Sequence, residues 1–374
     1  MKVLALEATD FRNLQQILVE PHPRFNVLHG DNGQGKTNVL EAVYLLGTLR
    51  SFRANKTEEL IRFACERGRV RARVEKLGTQ RLLEVELTPG HKSAKVDGKG
   101  ARAASYFGGF NVVLFAPEDL RLPKGPPAGR RRFLDRAIWN AVPGYLQEAQ
   151  TYERVLRSRN ALLRDAGLGP RPKAGAASGA SFDEDLLEVY DAQLAAAAVP
   201  LVARRRSFVS ELAPKVAEAF RQVTGGLTLA VGHRTSLTGS DEELAAQLGE
   251  KLRADRRRDR ARGATSSGPH TDDLTLLLDG REASAYASQG QLRASVLALK
   301  IAEIEYLTEK LGNPPVLLLD DVSSELDPTR NTQLFSFLRG VQCQAFITTT
   351  HPAHVLLTEE RKDFRVVSGV VSDV

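Results

Sequence analysis

Gly30-Asp31-Asn32-Gly33-Gln34-Gly35-Lys36-Thr37 fits the pattern G-x-x-x-x-G-K-[ST]. The residues before it, Arg24-Phe25-Asn26-Val27-Leu28-His29, read as a short buried strand. Those after it, 38–49, carry Val39, Leu40, Val43 and Leu46 at helical spacing. A strand before and a helix after is the context a phosphate-binding loop requires. Glycines let the backbone curl so that its N–H groups converge on phosphate oxygens. Lys36 is placed to reach the β- and γ-phosphates, and Thr37 to offer its hydroxyl to Mg²⁺. The start of the helix, where Asn38 stands, adds positive partial charge. The plainer alternative is a glycine-rich turn ahead of an ordinary helix. It has to explain both the full pattern and the flanking elements.

The chain is too long for one ordinary core at 374 residues, so two domains or one large insertion are expected. Its 42% hydrophobic and 26% charged content is that of a globular protein. No run approaches the ~20 apolar residues of a membrane span. The N-terminus meets an acid at Glu7, too early for a secretory signal. Cys65 and Cys343 lie far apart without metal-ligand spacing and read as reduced thiols in a cytoplasmic protein. A net charge of +6 permits a polyanionic partner without establishing one.

Along the chain, short strands are expected near 3–6, 17–19 and 25–27. Val70, Ala72, Val74, Leu83, Val85 and Leu87 alternate with polar residues, with turns at Gly78 and Pro89-Gly90, and predict an antiparallel meander over 70–96. Val112-Val113-Leu114-Phe115 is a buried strand. Helical patterns follow at 130–142, 144–166 and 182–223, the last interrupted by Pro200 and Pro214. The Gly, Ala, Pro and Ser-rich stretch 167–181 reads as a flexible loop, making 144–223 an antiparallel helical arm. A further helix at 241–262 ends in Arg256-Arg257-Arg258-Asp259-Arg260. That cluster and Arg130-Arg131-Arg132 are the candidate DNA contacts, with solvated faces as the alternative.

Val316-Leu317-Leu318-Leu319 is a buried strand ending in Asp320-Asp321. The C-terminal end of such a strand is where α/β sheets bind ligands. Asp320 suits the holding of Mg²⁺ through water, and Asp321 the orienting or deprotonation of an attacking water. Ser288-Gln289-Gly290-Gln291 stands at the start of a helix, with Ser288 as N-cap. A hydroxyl, a glycine backbone and a helix N-terminus make an anion site. One monomer has no use for it far from its own loop, but two facing monomers do. Each helix end then meets the γ-phosphate held by the other subunit. The alternative is a capped helix without a ligand.

These motifs, with Ser324-Glu325-Leu326-Asp327 after them, follow in the order of the ABC-type ATPase heads of the SMC and Rad50 class. More narrowly, the chain resembles the RecF family of bacterial recombination mediators. Matching stretches include Phe11-Arg12-Asn13, Leu40-Glu41-Ala42, Arg50-Ser51-Phe52-Arg53, Phe115-Ala116-Pro117-Glu118-Asp119-Leu120, Arg130-Arg131-Arg132-Phe133-Leu134-Asp135, Arg159-Asn160-Ala161-Leu162-Leu163 and Gly268-Pro269-His270-Thr271-Asp272-Asp273-Leu274. The resemblance implies an α/β head with the β meander, built from 1–117 plus 266–374, with the helical arm inserted at 118–265. It implies ATP and Mg²⁺ as cofactors and an ATP-dependent homodimer on double-stranded or gapped DNA. It also implies weak DNA-dependent ATP hydrolysis and work with RecR and RecO in loading RecA, with no membrane partner. Roles in replication restart and the SOS response come with it.

Lys36, Asp320 and Asp321 carry over as catalytic residues, and Thr37 and Asp320 as the Mg²⁺ site. Gly30 to Asn38 and Ser288 to Gln291 carry over as nucleotide contacts. ABC ATPases usually have Glu at the place of Asp321. One methylene fewer puts the carboxylate farther from the water, so slow turnover is expected. Thr350-His351 stands near the place of the ABC switch histidine, but Pro352 follows it. Asp119 stands at the position of the glutamine loop. His270, Asp272 and Asp273 are a poor ligand set for zinc, and a structural role beside the nucleotide site fits better. Three rivals remain open. An ABC transporter subunit shares the motifs, but its lobes are closer in sequence. A GTPase needs N-K-x-D, whereas Asn55-Lys56-Thr57-Glu58 ends in Glu. A scaffold would use ATP as a ligand without turnover.

Overall fold

In the computed structural model, residues 1–102, 106–165, 183–322 and 326–374 are described. The expected loop at 167–181, and Ser324-Glu325, lie outside them. By packing, the chain divides into two compact units. The first comprises Met1–Lys124, Lys215–Leu229 and Leu278–Val374, and the second Gly125–Pro214 and Ala230–Leu277. The division follows contacts and not chain order, so 215–229 returns to the first unit where a single insertion over 118–265 was expected.

Among its described residues the first unit contains two six-stranded sheets. In one, the order is Val370–Asp373, Arg361–Val367, Phe25–His29, Ala345–Thr349, Val316–Asp320 and Val112–Phe115. All neighbours are parallel except the edge strand Val370–Asp373. Val316–Asp320, Ala345–Thr349 and Val112–Phe115 are buried at every residue, as parallel strands covered on both faces must be. The parallel order brings the C-terminal ends of Phe25–His29, Ala345–Thr349 and Val316–Asp320 side by side.

The other sheet is antiparallel, in the order Leu14–Val19, Lys2–Phe11, Gly68–Lys76, Thr79–Thr88, His91–Val96, Lys99–Gly100. The expected meander is found. Val70, Ala72, Val74, Leu83, Val85 and Leu87 face the core, while Arg71 faces outward and pairs with Glu7 at 2.7 Å. Helix Lys36–Thr48 is shared by both layers. Its Val39, Leu40, Val43 and Leu46 belong to one buried cluster with Val70, Val85, Val112 and Leu318. Truncating a buried leucine such as Leu40 to alanine costs ~2–5 kcal/mol.

The second unit holds helices Pro127–Ala141, Tyr145–Asp165 and Asp241–Arg262, and most of the neighbouring strands Leu229–Arg234 and Asp273–Leu278. Helix Glu184–Thr224 belongs to it as far as Pro214. Pro200 and Pro214 lie inside this helix, which runs through both; the interruption expected there is not found. Each proline removes one N–H from the ladder. The stripe of Leu187, Leu194, Val202, Phe208 and Leu212, each 1% exposed or less, keeps the helix continuous. One stretch of this helix has the length and mean hydropathy, 1.4, that could cross a membrane, by length and composition alone; it holds Glu188 and Asp191, so it is not an unbroken apolar run.

Candidate nucleotide site

Strand Phe25–His29 delivers the chain to Gly30, and helix Lys36–Thr48 takes it away. The loop needs its glycines. Gly30 and Gly35 have φ of 143° and 115°. A Cβ on Gly30 would lie 2.4 Å from the Val366 carbonyl oxygen, and one on Gly35 2.6 Å from the Asn13 side chain. Lys36 Nζ donates back to the carbonyls of Gly30 at 2.6 Å and Asp31 at 2.8 Å. Burial holds its pKa below the ordinary lysine value, and the nearby charges of Asp321, Asp320 and Asp31 oppose that fall.

Two strands away, Asp320 ends Val316–Asp320. Its Oδ1 accepts from Thr37 Oγ1 at 2.7 Å and from Thr348 Oγ1 at 2.8 Å. Burial raises its pKa and the two hydroxyls partly offset this. Arg53 lowers it and Glu118 raises it, so both charges are felt at this carboxylate. Asp321 follows in the left-handed region at φ 48°, which aspartate tolerates better than most residues. Its N–H donates to Thr348 Oγ1 at 2.9 Å. A threonine hydroxyl beside a buried carboxylate is a pair of hard oxygen donors, which fits Mg²⁺.

Outside the loop, Asn38 Nδ2 donates to Asn13 Oδ1 at 2.7 Å, and Asn38 Oδ1 accepts from Arg53 Nη1 at 3.1 Å. Arg12 forks onto the fully buried Glu41 through Nε and Nη2, both at 2.8 Å. Phe11-Arg12-Asn13 and Arg50-Ser51-Phe52-Arg53 thus meet at the first two turns of the loop's helix. Arg53, Thr348 and Asn13 are site residues that motif reading did not assign. Arg53 and Asn13 stood inside quoted stretches. Thr348 had no signal beyond ending the last core strand.

Ser288 is found as the N-cap of helix Gln289–Leu311. Its Oγ accepts from Gln291 N–H at 3.2 Å, and Gln291 Oε1 accepts from Ser288 N–H at 2.8 Å. Ser288 and Gln289 are exposed, and Gly290 and Gln291 are half-buried. A Cβ on Gly290 would lie 3.2 Å from Arg330 Nη2, and Arg330 Nη1 pairs with Asp327 at 2.6 Å.

Three further readings take their partners from the structure. Asp119 is tied to its own turn through Ala116 N–H at 3.1 Å and to Lys300 at 3.3 Å, whereas the neighbouring Glu118 is the acid felt at Asp320. His351 Nδ1 accepts from Ala353 N–H at 3.2 Å, capping the short turn Pro352–His354. Asp272 and Asp273 have their partners in the second unit. Arg130 forks onto Asp273 at 2.7 and 2.8 Å, with Arg234 at 2.9 Å. Burial pushes the Asp273 carboxyl up, but these arginines hold it below the usual range. Asp272 meets Arg205 at 3.4 Å and His233 at 3.1 Å. His270 lies 2.6 Å from the Tyr152 hydroxyl. Among the described residues no group of three His, Cys, Asp or Glu is arranged for a metal. Arg130, and Arg131 through the Asp272 carbonyl at 2.8 Å, are thus engaged within the second unit.

Residues 2–370 match the family described as RecF/RecN/SMC N terminal domain. The DNA replication and repair protein RecF of Anaeromyxobacter sp. (strain Fw109-5) is 48% identical over 359 residues, covering 94% of this chain and 92% of the relative. That of Geobacter sulfurreducens is 42% identical over 389 residues, covering 100% of each. A solved structure of the recombination mediator protein RecF-ATPrS in the RecFOR pathway superimposes with TM-score 0.89 at 30% identity, covering 100% of this chain and 98% of that one. The SMC head bound to the C-winged helix domain of ScpA, at TM-score 0.55 and 14% identity, shares the fold.

Proposed function

The chain belongs to the RecF family of DNA replication and repair proteins, and from that premise we propose that it is an ATP-gated DNA clamp that hydrolyses ATP slowly. The observation that carries the reading is the convergence of Thr37, Asp320 and Thr348 through hydrogen bonds of 2.7 and 2.8 Å, beside Lys36 and Asp321. The loop amides of Gly30 to Lys36 bind phosphate, and Lys36 exchanges its carbonyl partners for phosphate oxygens. Thr37 and Asp320 hold Mg²⁺, Asp320 through water. Mg²⁺, when bound, neutralises charge on the phosphates. Asp321 orients or deprotonates water. Its short side chain makes that step slow, and DNA binding speeds it.

Ser288 to Gln291 present the exposed N-terminus of a helix to a second copy of the chain, and ATP held between the two closes a homodimer. The exposed arginines Arg257 and Arg258 grip duplex or gapped DNA, Arg130 and Arg131 having partners already. Relatives' names and structures in the RecFOR pathway support RecR and RecO as partners and a cytoplasmic place of work. In this reading 1–117 with 266–374 supplies the ATPase head and 118–265 its arm, although by packing 118–124 and 215–229 group with the head and 266–277 with the arm. Light scattering with and without ATP and gapped DNA tests this. ATP-driven doubling of mass supports it. A monomer that turns ATP over at full rate contradicts it.

A further inference from the structure

Arg361–Val367 and Val370–Asp373 form a hairpin whose turn is Ser368-Gly369. Ser368 has φ 49° and Gly369 φ 80°, the two positive φ values of a type I′ turn. Both amides of this turn are spent on one residue of the phosphate-binding loop. Ser368 N–H donates to Gln34 Oε1 at 2.6 Å, and Gly369 N–H to the Gln34 carbonyl at 2.8 Å. That carbonyl accepts a second bond from Asn13 Nδ2 at 3.1 Å. The approach is close. A Cβ on Gly369 would lie 2.2 Å from the Asn13 carbonyl oxygen, and one on Gly30 2.4 Å from that of Val366.

Gln34 therefore has its carbonyl and its side chain fixed from outside the loop. A trans peptide is planar, with its C=O and the following N–H pointing in opposite directions. Fixing the Gln34 carbonyl fixes the plane shared with Gly35, and so the direction of the Gly35 N–H. Gly35 at φ 115° has the backbone freedom to let that plane rotate if nothing held it.

We propose that the Ser368-Gly369 turn is a positioning element of the nucleotide site, aiming the Gly35 amide at phosphate by holding the Gln34 carbonyl away from it. A carbonyl oxygen swung toward a phosphate repels it, so loss of the brace weakens binding of every nucleotide that carries the contacted phosphates. The inference rests on the nucleotide reading of the loop.

Gly369→Ala displaces the turn through the contact with Asn13 and the positive φ. Val370→Thr changes an exposed side chain of the same hairpin and keeps both turn amides. Calorimetric titration with ATP and with ADP is expected to show at least tenfold weaker binding for Gly369→Ala and wild-type binding for Val370→Thr. ATPase assays are expected to show a raised KM with kcat largely retained at saturation. If Gly369→Ala melts well below wild type without nucleotide, Gln34→Ala decides, since it removes only the side-chain acceptor. Two- to fivefold weaker binding with an unchanged melting temperature is expected. Wild-type affinity in Gly369→Ala, or in Gln34→Ala where that variant decides, overturns the proposal while leaving the nucleotide site intact. Failure of the wild-type chain to bind ATP overturns the nucleotide reading itself.

Discussion

Thr37 Oγ1 and Asp320 Oδ1 lie 2.7 Å apart although 283 positions separate them in the chain. The bond joins the start of the loop's helix to the end of a strand two places away in the sheet. It buries a carboxylate among hydroxyls, with no cation bonded to it among the described hydrogen bonds and ion pairs.

Asp320→Asn tests the cost of that burial. A carboxyl raised on folding from its ordinary 3.8 binds its proton more tightly in the folded chain. Its stabilising contribution is full below the unfolded value and is lost as pH rises through the folded one. At pH 7 the folded, nucleotide-free chain carries an unfavourable charge. Asparagine keeps an acceptor for Thr37 and Thr348 without it. The melting temperature is expected to rise by about 2 °C at pH 7, with the gain shrinking toward pH 3. Mg²⁺-dependent hydrolysis is expected to disappear. A fall in melting temperature at pH 7 would mean that the charge stabilises the site.

Lys36→Arg replaces a compact ammonium with a planar fork. The bonds to the Gly30 and Asp31 carbonyls show how little space the ammonium occupies. Filter binding is expected to retain part of the nucleotide affinity while hydrolysis is lost. Wild-type turnover would remove Lys36 from the phosphate site.

Asp321→Asn is expected to leave ATP binding intact and to lower hydrolysis by ~10²-fold, the scale of a lost general base. Asp321→Glu extends the side chain by one methylene and is expected to speed turnover. Normal single-turnover hydrolysis in the asparagine variant would assign the base to another residue.

Much of this was legible in the sequence. The loop pattern, Asp320-Asp321 and the Ser288 cap are local, each set by neighbours within a few positions. What was missed is set by contacts between distant segments. Thr348 bridges Asp320 and Asp321 only because parallel strands put their ends together. Glu118 and Asp119 are adjacent in sequence, and only the packing of Lys300 shows which is engaged. Pro200 and Pro214 read as breaks because local preference opposes them, whereas buried side chains along Glu184–Thr224 override it.

The arginine clusters are expected to separate. Arg130→Ala leaves the buried Asp273 with one cation fewer and is expected to destabilise by ~3 kcal/mol, with the salt dependence of DNA binding unchanged. Replacing exposed Arg257 and Arg258 by alanine is expected to change stability by less than ~0.5 kcal/mol. It should flatten the slope of log K against log salt by about two units for two lost phosphate contacts. Fluorescence anisotropy across a salt series measures both. An unchanged slope in the double variant would mark that face as solvated only.

In the proposed clamp, Ser288 completes a nucleotide site on a facing subunit. Ser288→Arg puts a bulky side chain at the exposed end of helix Gln289–Leu311 and leaves the Lys36 loop untouched. Sedimentation with ATP, read beside ATP titration of dilute monomer, is the direct measurement. The expected result is near wild-type ATP binding by the monomer with ATP-driven dimerisation abolished, and hydrolysis partly restored on mixing with Lys36→Ala subunits. Loss of ATP binding in the Ser288→Arg monomer would put Ser288 at its own subunit's nucleotide and contradict the facing-heads arrangement.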